Sequence, residues 1–287
     1  MNAKKVLVIL GCVALLGTTP LTSISHEDPS VSARDAARNH LVNEVGPAVY
    51  NVTTNFRLHK RDEAKTIQEM GGTGTAFGVT EDGLILTAFH LVQAPEFTAQ
   101  TPLGTVKLLP SYTPPASWSY PDGEVAEGSY MLTAKDGTIY TGEIVAIDPK
   151  NDLAILSIAK SMPGKKFPFI EIERGALRYD SVVAIGSPFG FSFSVTEGII
   201  SDPSRRMADE QERTLVQTDT TLHPGNSGGP LLLLRNHRVA GVVVENYTPA
   251  PFGIGIAFAV PASVAAKFLD DTLLMLKEGR TQEPVPR

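Results

Sequence analysis

Pro224-Gly225-Asn226-Ser227-Gly228-Gly229-Pro230 runs directly into Leu231-Leu232-Leu233-Leu234. Glycines on both sides of a serine open backbone conformations closed to other residues. Such a loop aims successive N–H groups into one hole, and the apolar run behind it anchors the loop on a rigid strand. A bare Gly-x-Ser-Gly suits a plain glycine-rich turn equally well. The longer string, ending in proline and a strand, is far more specific. Hydrolysis by a serine needs an activated hydroxyl, a base and donors for the oxyanion. Gly225 and Ser227 are the natural donor pair.

Outward from this loop the chain reads as short strands. Runs rich in Val, Ile, Thr and aromatics recur at Ala48–Thr54, Thr73–Val79, Leu84–Thr87, Met131–Ala134, Ile139–Ile147 and Leu153–Ile158. A second set covers Ser181–Ile185, Ser192–Ile200, Thr214–Thr218, Pro230–Leu234, Val239–Val244 and Gly255–Val260. Turn signals such as Glu81-Asp82-Gly83 and Lys135-Asp136-Gly137 separate them. Pro163-Gly164 marks a seam between the two sets. The expectation is an all-β fold of two six-stranded β-barrels, over residues 46–160 and 161–260. Residues 26–45 form a polar segment with a helix near Ser32–Glu44, and residues 261–287 a closing helix and tail, with Pro261 at the first helical position. Gln93–Gly128, rich in proline and weakly periodic, reads as an insertion, either a surface elaboration or a flap near the cleft.

A base must come from six histidines. His26 and His40 precede the strand pattern. His59 sits among Arg57, Lys60 and Arg61, and His237 lies in the turn Arg235-Asn236-His237-Arg238. His223 is on the serine loop itself, awkward for a base approaching across a cleft. His90 ends the strand Leu84-Ile85-Leu86-Thr87-Ala88-Phe89, where a rigid element hands over to a turn. The third member has to orient the imidazole and stabilise its cation. Asp136 and Asp148 open turns. Asp152 enters the apolar strand Leu153-Ala154-Ile155-Leu156, so it is expected to be partly buried and to need a partner.

The 287 residues are 42% hydrophobic and 20% charged, an ordinary globular balance, and the net charge of -6 leaves no basic footprint for nucleic acid. Lys4 and Lys5 precede an apolar run from Val6 to Leu16, and Ser23 and Ser25 suit a cleavage site, the layout of a secretory signal peptide over residues 1–25. An uncleaved anchor is the alternative, and the only expected route to a membrane. The single cysteine, Cys12, falls inside this leader, so the exported chain is expected to hold without disulfides.

Gly72-Thr73-Gly74-Thr75, Leu86-Thr87-Ala88-Phe89-His90, Asn151-Asp152-Leu153-Ala154 and Gly225-Asn226-Ser227-Gly228-Gly229-Pro230 occur in the order His, Asp, Ser. Together with Val182–Gly190, Gln217-Thr218-Asp219 and Gly253–Pro261, they resemble the chymotrypsin-fold serine peptidases, specifically the HtrA/Deg group of quality-control proteases. The resemblance runs from about Val45 to Val264. It implies a chymotrypsin/trypsin-like pair of barrels, with His90 as general base, Asp152 as its orienter, Ser227 as nucleophile, and Gly225 and Ser227 as oxyanion donors. It also implies polypeptide substrates, no metal and no cofactor, and an extracytoplasmic, periplasmic or secreted location. Trimers are common in that group, though no residue here marks one.

The departures are informative. The group usually carries PDZ domains after the protease, and this chain is expected to lack one. Asn226 stands where digestive trypsins have an aspartate that pairs with a freshly cut N-terminus, so activation is expected to depend on loop ordering instead. The S1 pocket is expected near Leu222, Val243 and Val244, apolar and suited to small aliphatic side chains; Glu245 reads first as an exposed charge at a strand end, with the pocket rim as its alternative. The rival reading is a binding or chaperone-like envelope protein that keeps the fold without turnover.

Overall fold

The computed structural model describes residues 29–60, 66–95, 97–101, 104–108, 111–113, 117–119, 124–174, 179–187, 193–207, 212–247 and 256–282. The leader expected over residues 1–25 lies outside them. Two sheets close on themselves, as the two sets of short apolar runs require. In the first, β1 (Val49–Lys60), β2 (Thr66–Gly78), β3 (Leu84–Ala88), β10 (Leu153–Ser157), β9 (Ile139–Asp148) and β8 (Glu124–Ala134) pair in that order, and β1 returns to β8. In the second, β11 (Ser181–Gly186), β12 (Ser194–Arg206), β13 (Thr214–Thr218), β16 (Ile256–Pro261), β15 (Val239–Tyr247) and β14 (Pro230–Leu233) form a closed ring. All these pairings are antiparallel, and closure leaves neither barrel an edge to protect.

Three α-helices complete the chain as described. The N-terminal helix α1 (Pro29–Val45) precedes the first barrel, α2 (Phe89–Val92) is a single turn after β3, and α3 (Ala262–Lys277) follows β16. Pro261 caps α3 rather than opening it: it ends β16 with φ -57 and ψ 143, and helical geometry begins at Ala262. Leu41 is fully buried and Val45 nearly so, both packed into the apolar cluster between the barrels. Burial of a leucine side chain contributes about 1.5–3 kcal/mol, which seats α1 against the body.

The stretch expected as an insertion, Gln93–Gly128, is largely strand. A hairpin pairs β4 (Phe97–Thr101) with β5 (Gly104–Leu108), while β6 (Ser111–Thr113) and β7 (Ser117–Ser119) extend the first sheet from β8. The barrel strand β8 itself begins at Glu124 and pairs with β1 from Tyr50↔Ala134 out to Lys60↔Glu124. Alternation hides this half of β8 because Gly128 interrupts it. A Cβ on Gly128 would stand 2.3 Å from the Tyr130 hydroxyl and 3.0 Å from Phe56. Only glycine lets those two rings pack edge-on, 6.1 Å apart.

Each barrel has its own apolar filling, and a third cluster joins them. Phe77, Leu86 and Ile155 of the first barrel meet Val183, Leu232, Val242 and Phe258 of the second. At this junction β3 meets β15, and β1 and β2 meet β11.

Candidate active site

Asp152 stands one residue ahead of β10, which pairs with β3 through Leu153↔Ala88. That register sets Asp152 beside Phe89 and His90 as α2 begins. Three hydrogen bonds lock the arrangement. The Phe89 N–H donates to the Asp152 carbonyl at 3.1 Å, the His90 N–H to Asp152 Oδ1 at 2.8 Å, and His90 Nδ1 lies 2.7 Å from Asp152 Oδ2. Asp152 has φ +55, in the left-handed region, where aspartate is among the better-tolerated non-glycine residues. Its side chain is only 16% exposed, against 43% for the imidazole. A carboxylate so covered needs a donor, and His90 supplies two. With Nδ1–H committed to the carboxylate, the lone pair of the neutral ring is on Nε2.

The competing aspartates are engaged elsewhere. Asp148 accepts the backbone and side-chain N–H groups of Asn151, at 3.1 and 2.7 Å, and shapes the turn that delivers Asp152. Asp136 accepts the Thr138 N–H at 2.9 Å, and that bond holds its carboxyl below the usual range. His59 pairs with Glu127, and His40 and His237 both face Glu44.

Ser227 sits on a loop tied to the first barrel by Thr75, which is fully buried. The Thr75 N–H donates to the Ser227 carbonyl at 2.9 Å, and its hydroxyl donates to the Gly225 carbonyl at 2.7 Å while accepting the Ser187 N–H at 3.0 Å. The Thr75 carbonyl accepts the Thr87 hydroxyl at 2.8 Å. The loop also holds itself. Asn226 N–H donates to the His223 carbonyl at 3.0 Å, Gly229 N–H to the Asn226 carbonyl at 2.9 Å, and Gly228 N–H to the Val243 carbonyl at 2.7 Å. Among the described residues, no acceptor takes the N–H of Gly225 or Ser227. Gly225 has φ +103 and Gly228 φ +80. A Cβ on Gly228 would stand 2.8 Å from the Ala88 nitrogen, so the serine loop presses directly on the strand end that leads to His90. The loop that carries Ser227 and the dyad of His90 and Asp152 thus meet at one junction.

Two residues that the motifs did not single out support the imidazole from behind. Trp118, on β7, packs its ring 6.1 Å from Phe89, and the Tyr130 hydroxyl donates to the Val92 carbonyl at 3.1 Å. Both are buried and both hold α2, the turn bearing His90. A cavity of about 260 Å³ opens on His90, walled by Thr54, Phe56, Met70, Leu91 and Pro95.

The residues expected at S1 are arranged differently from one another. Leu222 and Val243 share the apolar cluster inside the second barrel, whereas Val244 belongs to the cluster between the barrels. The register of β15 shifts between Val243 and Glu245, and the two valines pack into different clusters. The side chain of Glu245 falls outside those described.

Comparison with known proteins agrees with this architecture. Residues 72–242 match the family described as the trypsin-like peptidase domain. A probable periplasmic serine endoprotease, DegP-like, from Chlamydia trachomatis is 31% identical over 220 residues, covering 74% of this chain and 36% of that protein. Proteins of the same description from Brucella suis and Hahella chejuensis are 29% and 32% identical over 211 and 203 residues, covering 73% and 69% of this chain. The chain spans about a third of the length of these curated relatives, from 34% to 36%. On the match across both barrels, the chain belongs to the trypsin-like peptidase domain family.

Proposed function

We propose that this chain is a serine endopeptidase that cleaves exposed or unfolded polypeptide segments in an extracytoplasmic compartment. The observation that carries the reading is the double contact of His90 with Asp152, made at both the backbone N–H and the ring. It fixes the imidazole orientation and the tautomer that a general base requires. His90 Nε2 takes the Ser227 hydroxyl proton as Oγ attacks the scissile carbonyl. The carbonyl oxygen gains the negative charge, and the N–H groups of Gly225 and Ser227 stabilise it. The imidazolium, steadied by Asp152, returns the proton to the leaving amine. Water then attacks the acyl-enzyme by the same route in reverse and frees Ser227. No metal or cofactor enters these steps.

The relatives named periplasmic endoproteases, together with Lys4-Lys5 ahead of an apolar run, support the compartment. Leu222 and Val243 support a preference for small aliphatic side chains at the cleaved bond. The test is digestion of casein and a peptide library by the chain and its Ser227→Ala variant. Loss of activity by several orders of magnitude is expected, the serine of the subtilisin triad being worth about 10⁶ in kcat. Undiminished cleavage by the variant would remove Ser227 from the mechanism.

A further inference from the structure

On the side of the second barrel away from the serine loop, three side chains from two distant segments converge. His40 and Glu44 lie four residues apart on α1, so they share one helix face. His237 comes from the turn after β14, a strand whose other end leads back to Ser227. Glu44 Oε2 is 2.6 Å from His237 Nδ1 and 3.5 Å from His40 Nδ1. The two imidazole rings stand 5.1 Å apart, and one ligand atom from each of the three residues lies within 4.8 Å of the others. Among the described residues this is the one group of three histidine, cysteine or acidic side chains with such geometry.

We propose that His40, Glu44 and His237 bind a divalent transition cation of borderline softness, of the Zn²⁺ type, and that the ion clamps α1 to the β14–β15 turn. Two imidazoles and one carboxylate make a donor set that suits such an ion, with a fourth position left to water. Calcium and magnesium prefer oxygen ligands alone. Bonds of about 2.0–2.2 Å to a tetrahedral ion separate its ligand atoms by about 3.3–3.6 Å. His40 and Glu44 already stand at that spacing. The His237–Glu44 contact opens by less than about 1 Å as the cation replaces the shared proton.

The backbone at His237 supports a built site. Its φ is +61, in the left-handed region, which histidine enters more readily than most non-glycine residues, held by its N–H donating to the Leu233 carbonyl at 2.9 Å. Its ring is 17% exposed and turned onto α1. The flanking arginines are turned away, Arg235 toward Glu173 and Asp180, and Arg238 toward Glu171. Helix α1 is independently seated by Leu41 and by Arg38 on Glu197, so the ligands are presented before any ion arrives.

The experiment is calorimetric titration of the full chain with zinc chloride alone, paired with thermal melts and hydrogen exchange over residues 29–45. Cys12→Ser is carried throughout, so that the chain's single thiol does not compete. One ion per chain is expected, with a higher Tm and slower exchange in α1. His40→Ala, at an exposed position, and Glu44→Gln, which keeps hydrogen bonding without the charge, should weaken binding about a hundredfold or more, beyond the about 10–100-fold cost of losing an outer partner. His90→Ala should bind as the parent does. Absence of binding, binding unchanged in His40→Ala, or binding lost in His90→Ala overturns the proposal.

Discussion

The Thr75 hydroxyl donates to the Gly225 carbonyl at 2.7 Å, from a first-barrel strand to the second-barrel loop that carries Ser227. The same oxygen accepts the Ser187 N–H in a buried bond, while the bond to the half-buried Gly225 is partly covered. One hydroxyl therefore sets the peptide unit that follows the proposed oxyanion donor.

Thr75→Val keeps the shape and removes both bonds. Each buried group left unsatisfied costs about 1–3 kcal/mol. The expected outcome is a lower Tm together with a fall in kcat larger than the change in KM, measured on the same peptide substrate. A variant with normal kcat would show that the loop holds its shape without Thr75.

Asp152→Asn preserves the left-handed backbone at this position, which asparagine tolerates well, but not the carboxylate. The amide cannot accept and stabilise in the same way, and the imidazole is driven toward the wrong tautomer. In the chymotrypsin-type triad the corresponding change lowers kcat by about 10⁴ with geometry intact. A similar loss is expected here, with an unchanged circular dichroism spectrum. Activity within tenfold of the parent, roughly 1.4 kcal/mol, would deny Asp152 its role.

Tyr130→Phe removes only the hydroxyl that donates to the Val92 carbonyl behind His90. The stability loss is expected to be about 1–3 kcal/mol, because the carbonyl that loses this donor is buried. Trp118→Ala removes the ring against Phe89 and is expected to cost about 3–5 kcal/mol. Both should lower kcat, since both loosen α2. Denaturant melts and steady-state kinetics separate the two effects.

Glu197 joins α1 to β12. Burial works against its charge, but hydrogen bonds from Arg38 and Arg34 outweigh burial and hold the carboxyl below the usual range. The guanidinium of Arg38 is raised in turn by its bonds to Glu197 and Asp35. A carboxyl depressed on folding adds stability above its unfolded pKa of about 4.3, and that contribution is lost as pH falls through the folded value. The Tm difference between the parent and Glu197→Gln should therefore be constant near neutrality and shrink below about pH 4.3. A difference that does not vary with pH contradicts this.

Much of the fold was legible because its signals are local. The strands of both barrels announce themselves by apolar runs between turn residues, and Ser227, His90 and Asp152 each sit where a loop meets a strand. What was not legible depends on partners far away in the chain. Thr75 appears in a motif, yet its partners Gly225 and Ser187 are 150 and 112 residues distant. The first half of β8 is fixed by pairing with β1, which no alternation within Glu124–Tyr130 reveals. His40 and His237 read as a leftover before the barrel and a turn residue; Glu44 and His237 meet across 193 residues. The S1 residues were read from proximity in sequence, which does not register that Val243 and Val244 pack into different apolar clusters.

The proposed mechanism stands on activation of the Ser227 hydroxyl by His90 and Asp152. Labelling the full chain with a fluorophosphonate probe, followed by peptide mapping, tests it most directly. A single adduct on Ser227 is expected, with labelling slowed strongly by His90→Ala. No adduct under any condition, or an adduct on another serine with Ser227 unmodified, would contradict it.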